Sequence, residues 1–154
     1  MGLKDSALFQ GQVHEGGFGQ WHANLIHINR RKCVLFANDI TLFNFIAPDV
    51  SRSQIRELEK LFLSYLHPVL ADEGFTEKER RAIAEEYEGL QFDRTNSKSV
   101  LGSLHDLALH YEHRIMASGG THSHQIPSII SELNPMPMGA LNYAYPIEEL
   151  RKFV

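Results

Sequence analysis

The sequence has little cysteine, little excess charge and no long hydrophobic run, and each of these features excludes a class of protein. Cys33 is the single cysteine in 154 residues, so no disulfide framework can hold this chain together. The formal net charge of −4 argues against nonspecific coating of nucleic acid, which usually needs a clearly basic surface. No apolar stretch approaches the roughly 20 residues that span a bilayer, and residues 1–20 lack the apolar core of a secretory signal. We therefore expect a cytoplasmic globular protein that does not contact membranes.

The length of the chain fits one domain. Four glycines, Gly11, Gly16, Gly17 and Gly19, lie close together near the N-terminus. The sequence therefore predicts a flexible N-terminal segment over residues 1–20. A single domain is expected to follow over residues 21–154.

Strand-forming residues are concentrated in the first half of that domain. Trp21–Ile28, Lys32–Ala37 and Ile40–Ile46 are separated by short polar turns, which is typical of a three-stranded antiparallel meander. Leu90–Arg94 is predicted to be a fourth strand.

Helical patterns occupy most of the remaining chain. Ser51 with Gln54 and Thr76 with Glu79 have the spacing of capping boxes, which open helices. Pro68 is predicted to end or kink the first helix. The second predicted helix begins at the Thr76 capping box and ends at about Glu88. Two further helices are predicted at about Ser97–Ala117 and Pro127–Leu133, and the rest of the chain is predicted to be an irregular tail. These patterns predict an α+β fold, with about four antiparallel strands in one sheet and about four helices packed mainly on one face.

Nine histidines are the one unusual entry in the composition, and two of them suggest a metal site. Asp106, His110 and His113 fall within roughly 60° of one another on the predicted third helix. Imidazole and carboxylate groups are suitable ligands for zinc or another divalent transition metal, and Glu112 could then act as a base. The same helical phasing places the three residues opposite the apolar stripe of that helix, on a face that normally meets water. The residues of this stripe, which are expected to be buried, are Leu104, Leu107, Ala108, Tyr111 and Ile115.

Two other features bear on chemistry. Cys33 lies within an apolar strand, so we expect a buried and unreactive thiol rather than a nucleophile. Arg94 and Lys98 flank Asn96 where a strand leads into a helix, and Arg31 lies at a predicted hairpin tip. Backbone amides at a helix N-terminus favour anions, and nearby cations strengthen this preference. The alternative is a polar helix cap with solvated charges.

Two segments together resemble a known family. The first contains WHANL at 21–25 and RRKCVLF at 30–36, followed by Asn38, Thr41, Leu42 and Phe43; the second is TNSKSVLGSLHD at 95–106. They are similar to a small family of uncharacterised bacterial proteins, a domain of unknown function, over most of the chain from Trp21 onward. The resemblance implies no reaction. The family pattern has arginine at position 98 and asparagine at position 105, and it includes Asp106 but neither His110 nor His113.

These observations favour a non-catalytic binding or interaction module without a cofactor. Its expected partner is an anionic ligand or a protein; nucleic acid is a further candidate that the net charge does not favour. The predicted contact residues are Trp21, Asn24, Arg31, Arg94, Asn96, Lys98 and Ser99. The alternatives are a metal-dependent hydrolase with Asp106, His110 and His113 as ligands, and a structural homo-oligomer.

Overall fold

The computed structural model describes residues 7–12, 20–87, 91–94, 98–134 and 146–152. The strands are β1 (Ala7–Gln12), β2 (Trp21–Ile28), β3 (Arg31–Asn38), β4 (Asn44–Ala47) and β5 (Gln91–Arg94). The helices are α1 (Arg52–Arg56), α2 (Leu58–Asp72), α3 (Glu77–Glu86), α4 (Lys98–Ala117), α5 (Ile126–Leu133) and α6 (Pro146–Arg151). The α+β class is therefore confirmed, but the described residues form five strands and six helices rather than about four of each.

The strands form one antiparallel sheet in the order β4-β3-β2-β1-β5. Strand β1 is the one that the sequence did not predict, because it lies inside the segment 1–20 expected to be flexible. In the structure Phe9 pairs with Ala23 of β2 on one side and with Arg94 of β5 on the other. Backbone hydrogen bonds to β2 and β5 thus hold β1 in place, although its own residues have only a weak preference for a strand. The extent of the single domain over the remaining chain stays a prediction.

Helices cover both faces of the sheet, which corrects the prediction that they pack mainly on one. Successive residues of a strand point to opposite faces, so Phe45 and Asn44 of β4 lie on different sides. Phe62 of α2 packs against Phe45, with ring centroids 5.8 Å apart. On the other side, the Tyr111 hydroxyl of α4 donates to Asn44 Oδ1 over 2.7 Å. Residues on both faces of β2 and β3 are accordingly buried.

Both predicted capping boxes are present, and each opens a helix. The Ser51 hydroxyl accepts from the Gln54 amide at the start of α1, and the Thr76 hydroxyl accepts from the Glu79 amide at the start of α3. The prediction that Pro68 ends the helix is wrong, because α2 continues through Pro68 to Asp72, and a kink at Pro68 stays a prediction. Burial of Leu66, Val69 and Leu70 around the proline stabilises this last turn and offsets the missing backbone hydrogen bond.

The chain after α5 also departs from the predicted irregular tail, since Pro146–Arg151 form α6. Arg151 fixes this helix to the end of α2. Its guanidinium lies 4.3 Å from the ring centre of Phe75 and donates to the backbone carbonyl of Glu73 over 2.6 Å. None of the helices described has the length and apolar character needed to cross a membrane.

Candidate functional site

Two of the predicted contact residues lie in the protein interior. Trp21 is 0% exposed, and its ring centre is 5.0 Å from that of Phe62. Asn24 is 2% exposed on the opposite face of β2. Both side chains are out of reach of a ligand at the protein surface. Their assignment to a contact surface is therefore corrected, and Trp21 is a centre of core packing.

The basic residues predicted to bind an anion are described in part. Arg31 is exposed at the start of β3, and its Nε lies 3.9 Å from Asp49 Oδ1, so a nearby carboxylate already partly balances its charge. The side chains of Arg94, Lys98 and Ser99, and the whole of Asn96, lie outside the described residues. The anion site at this junction stays a prediction.

The predicted metal ligands lie on the outer surface of α4. Asp106, His110 and His113 are all exposed, and Glu112 is half-buried. The apolar stripe predicted for this helix is confirmed, because its members are buried: Leu104, Leu107, Ala108, Tyr111 and Ile115. Within the described ranges, no three side chains of the metal-ligating types come together in a way that could hold an ion. The structure thus does not assemble these residues into a metal centre.

Cys33 is buried in β3, as its apolar neighbours predict. Burial raises the pKa of the thiol from its usual 9.0 to about 11, and the charge of Asp49 acts in the same direction. Hydrogen bonds from the backbone of Asp49 and Ile28 lower the pKa by less. The reactive thiolate is therefore scarce at neutral pH.

We expect Cys33 of the folded protein to resist thiol reagents such as dithionitrobenzoate. Because its pKa rises from 9.0 to about 11, its thiolate fraction near neutral pH falls about 100-fold, and burial excludes the reagent as well. The measurement compares the reaction rate of the native protein with that of the protein in urea, with Cys33→Ser as the blank. Equal rates in the two states would contradict this account.

A cavity of about 430 Å³ lies between α2 and α5, and we call it the α2–α5 cavity. Its lining residues come from three parts of the chain: Ile46 and Pro48; Ser64, Tyr65, Pro68, Val69, Asp72 and Glu73; and Thr121, His122, Ser123, Ile126, Pro127, Ile130 and Ser131. Its apolar wall consists of Ile46, Pro48, Pro68, Val69, Ile126, Pro127 and Ile130. Ligand sites in proteins typically have volumes of about 300–1,000 Å³, walls that are mostly apolar, and a few polar groups. The cavity meets this description.

Glu73 supplies an unusual polar group in the cavity wall. Its Oε1 atom is buried and has no hydrogen-bond partner. Burial raises the pKa of this carboxyl, and the negative charge of Asp72 adds to the effect. A hydrogen bond from Ser131 and the positive charge of Arg151 lower the pKa by less. A carboxylate in such a setting costs folding free energy and is a frequent feature of binding sites.

Asp49 lies beside the cavity and contacts two of its lining residues, Thr121 and His122. Asp49 Oδ1 accepts from the Thr121 hydroxyl over 2.8 Å, and Asp49 Oδ2 lies 3.1 Å from His122 Nδ1. Asp49 itself has a φ of 50°, a conformation that is uncommon for residues other than glycine. These contacts hold the turn after α4 against the chain that leaves β4. They therefore fix one wall of the cavity.

Sequence reasoning did not find this cavity because no local pattern marks it. Its lining comes from three parts of the chain that are distant in sequence. Glu73 follows Asp72 at the polar end of a helix, where acidic residues are ordinarily solvated. Pro68 also lines the cavity, but the sequence could have indicated this only if the helix had been expected to continue beyond the proline.

A family described as a domain of unknown function (DUF6933) matches residues 2–149. No curated protein and no solved structure shows a significant match to the chain. The matched region includes all the residues that line the α2–α5 cavity.

Proposed function

We propose a binding function for this chain, which belongs to the DUF6933 family of domains of unknown function. It is a cytoplasmic, non-catalytic binding module, and its ligand is a small molecule held in the α2–α5 cavity. The observation that carries this proposal is the combination of mostly apolar walls with the unpaired, buried oxygen of Glu73. The lone cysteine, which is free, supports a reducing compartment.

The chemistry of the lining favours binding over catalysis. Cys33 lies outside the cavity lining, and its raised pKa opposes a role as nucleophile. The Nδ1 atom of His122 is already engaged by Asp49, and the imidazole is largely exposed to water. Proton transfer or nucleophilic attack would need a reactive group held close to the ligand. A role in recognition requires only the apolar wall and a polar anchor.

The anion surface predicted around Arg31, Arg94, Asn96, Lys98 and Ser99 is kept as a second contact site within this proposal. The exposed guanidinium of Arg31 supports it. The metal-dependent hydrolase and the homo-oligomer stay predictions, and the exposure of Asp106, His110 and His113 does not favour the former.

The cavity is tested with 2-phenylethanol, a small neutral probe with an aromatic body. Ligand that binds only the folded state stabilises it by RT ln(1 + [L]/Kd), about 2.7 kcal/mol at a hundredfold excess over Kd. We therefore expect the thermal midpoint to rise with probe concentration. Ser64→Trp should abolish the rise, because Ser64 is an exposed residue of the lining and indole would fill the space.

Ser128→Trp is the matched control, since Ser128 is exposed on α5 but lies outside the cavity lining. It should respond to the probe as the unaltered protein does. Equal stabilisation of both tryptophan variants by the probe would show that the cavity is not the binding site. The same conclusion would follow if the probe stabilised neither the two variants nor the unaltered protein.

A further inference from the structure

Three carboxylates lie at or beside the α2–α5 cavity, and they differ in how well they are satisfied. Asp49 Oδ1 accepts from the Thr121 hydroxyl, and Asp49 Oδ2 lies 3.1 Å from His122 Nδ1. Asp72 is exposed to water, which can solvate its charge. Glu73 is the exception, because its Oε1 is buried without a partner. Glu73 is therefore the least satisfied acceptor of the three, and its side chain is part of the cavity lining.

The neighbouring cation does not neutralise this acceptor by direct contact. Arg151 donates to the backbone carbonyl of Glu73, and its guanidinium lies over the ring of Phe75. Ser131, also in the lining, provides a hydrogen bond to the carboxyl group but carries no charge. A buried carboxylate is best satisfied by a charged donor, since such hydrogen bonds are about twice as strong as those between neutral groups.

We propose that the ligand is a primary amine on an apolar body, with its ammonium group paired with the carboxyl group of Glu73 in the cavity lining. The apolar body would lie against Val69, Ile126 and Ile130, which form part of the apolar wall. Glu73 and the adjacent Asp72 would repel an anion of the same shape. A neutral alcohol could fill the cavity but would satisfy the carboxylate less well. This inference rests on the proposed function and names the ligand class for the same site.

Three probes with the same aromatic body separate shape from charge: 2-phenylethylamine, 2-phenylethanol and phenylacetate. Calorimetric titration at about pH 8 keeps 2-phenylethylamine protonated and phenylacetate ionised. We expect the amine to bind at least about tenfold more tightly than the alcohol, and phenylacetate to bind more weakly than either. Glu73→Gln should reduce the amine affinity to that of the alcohol. Glu85→Gln is the control, because Glu85 is an exposed carboxylate outside the cavity lining, and it should preserve the preference.

A second measurement uses the unaltered chain and does not depend on the folding of a variant. The side-chain carboxyl ¹³C resonance of Glu73 should move when 2-phenylethylamine is added and move less with the alcohol. Equal affinity for amine and alcohol, or a preference that persists in Glu73→Gln, would overturn the inference. If the amine preference failed but Ser64→Trp still blocked binding of the probes, the proposed function of the cavity would remain valid. If Ser64→Trp blocked the binding of none of the three probes, the cavity would be rejected as the binding site.

Discussion

Replacing Trp21 with alanine is expected to cost about 3–5 kcal/mol of folding free energy, the usual range for deleting a buried aromatic side chain. The indole is 0% exposed and packs between the sheet and α2. Its ring centre is 5.6 Å from that of Phe45, 5.0 Å from Phe62 and 6.0 Å from Tyr87. Alanine would leave a cavity among these rings that rigid neighbours could fill only in part.

The measurement is urea unfolding followed by far-UV circular dichroism, because the variant lacks the only tryptophan. Trp21→Phe is the matched control and should cost clearly less, since it keeps an aromatic ring in the same space. If Trp21→Ala unfolded at the urea concentration of the unaltered protein, the account of Trp21 as a core residue would be wrong. A contact role at the surface would then regain support.

Features encoded within a few neighbouring residues could be predicted from the sequence. The capping boxes at Ser51 and Thr76 depend on side chains three positions apart, and both open helices in the structure. The bounds of β2 match the predicted Trp21–Ile28 segment. The apolar stripe of α4 follows from helical periodicity, so its buried residues were predicted as a set. In each case the deciding interaction is local.

The errors arise where distant contacts override local preference. Strand β1 is held by pairing with β2 and β5, which lie far from each other in sequence. Helix α2 continues past Pro68 because buried side chains on either side stabilise it. Trp21 was assigned to a surface because its strand was thought to have one face without helices. Once helices cover both faces, an aromatic residue of β2 belongs to the core.

The candidate site depends entirely on such distant contacts. Ile46, Val69 and Ile130 come from three elements, and the space between them exists only when those elements have packed. The environment of Glu73 is likewise set by Ser131 and by the position of Arg151. A sequence can show that Glu73 is acidic, but its unpaired oxygen is a property of the folded chain.

Asn134→Ala is expected to lower the free energy of unfolding by about 2–4 kcal/mol, because it leaves backbone groups of an edge strand unpaired. The side-chain amide of Asn134 pairs with both backbone groups of Asn44, as the backbone of a neighbouring strand would. Its Oδ1 accepts from the Asn44 amide over 2.9 Å, and its Nδ2 donates to the Asn44 carbonyl over 2.8 Å. The same Nδ2 donates to the Ile130 carbonyl, which joins the end of α5 to the sheet edge.

Urea unfolding measures the loss in stability, and hydrogen exchange locates it. The Asn44 amide should exchange faster in the variant, since its acceptor is gone while the rest of β4 still pairs with β3. Faster exchange spread evenly over the chain would indicate general destabilisation and contradict the local account.

Asn24→Ala is the matched control for Asn134→Ala, because both remove a buried asparagine amide. Asn24 Oδ1 is buried without a hydrogen-bond partner, so its removal also relieves an unmet acceptor and should cost less. Asn134→Asp adds a second comparison, since it keeps an acceptor for the Asn44 amide but cannot donate to the Asn44 carbonyl when ionised. Equal losses in Asn24→Ala and Asn134→Ala would show that burial, rather than pairing with β4, determines the contribution of these asparagines.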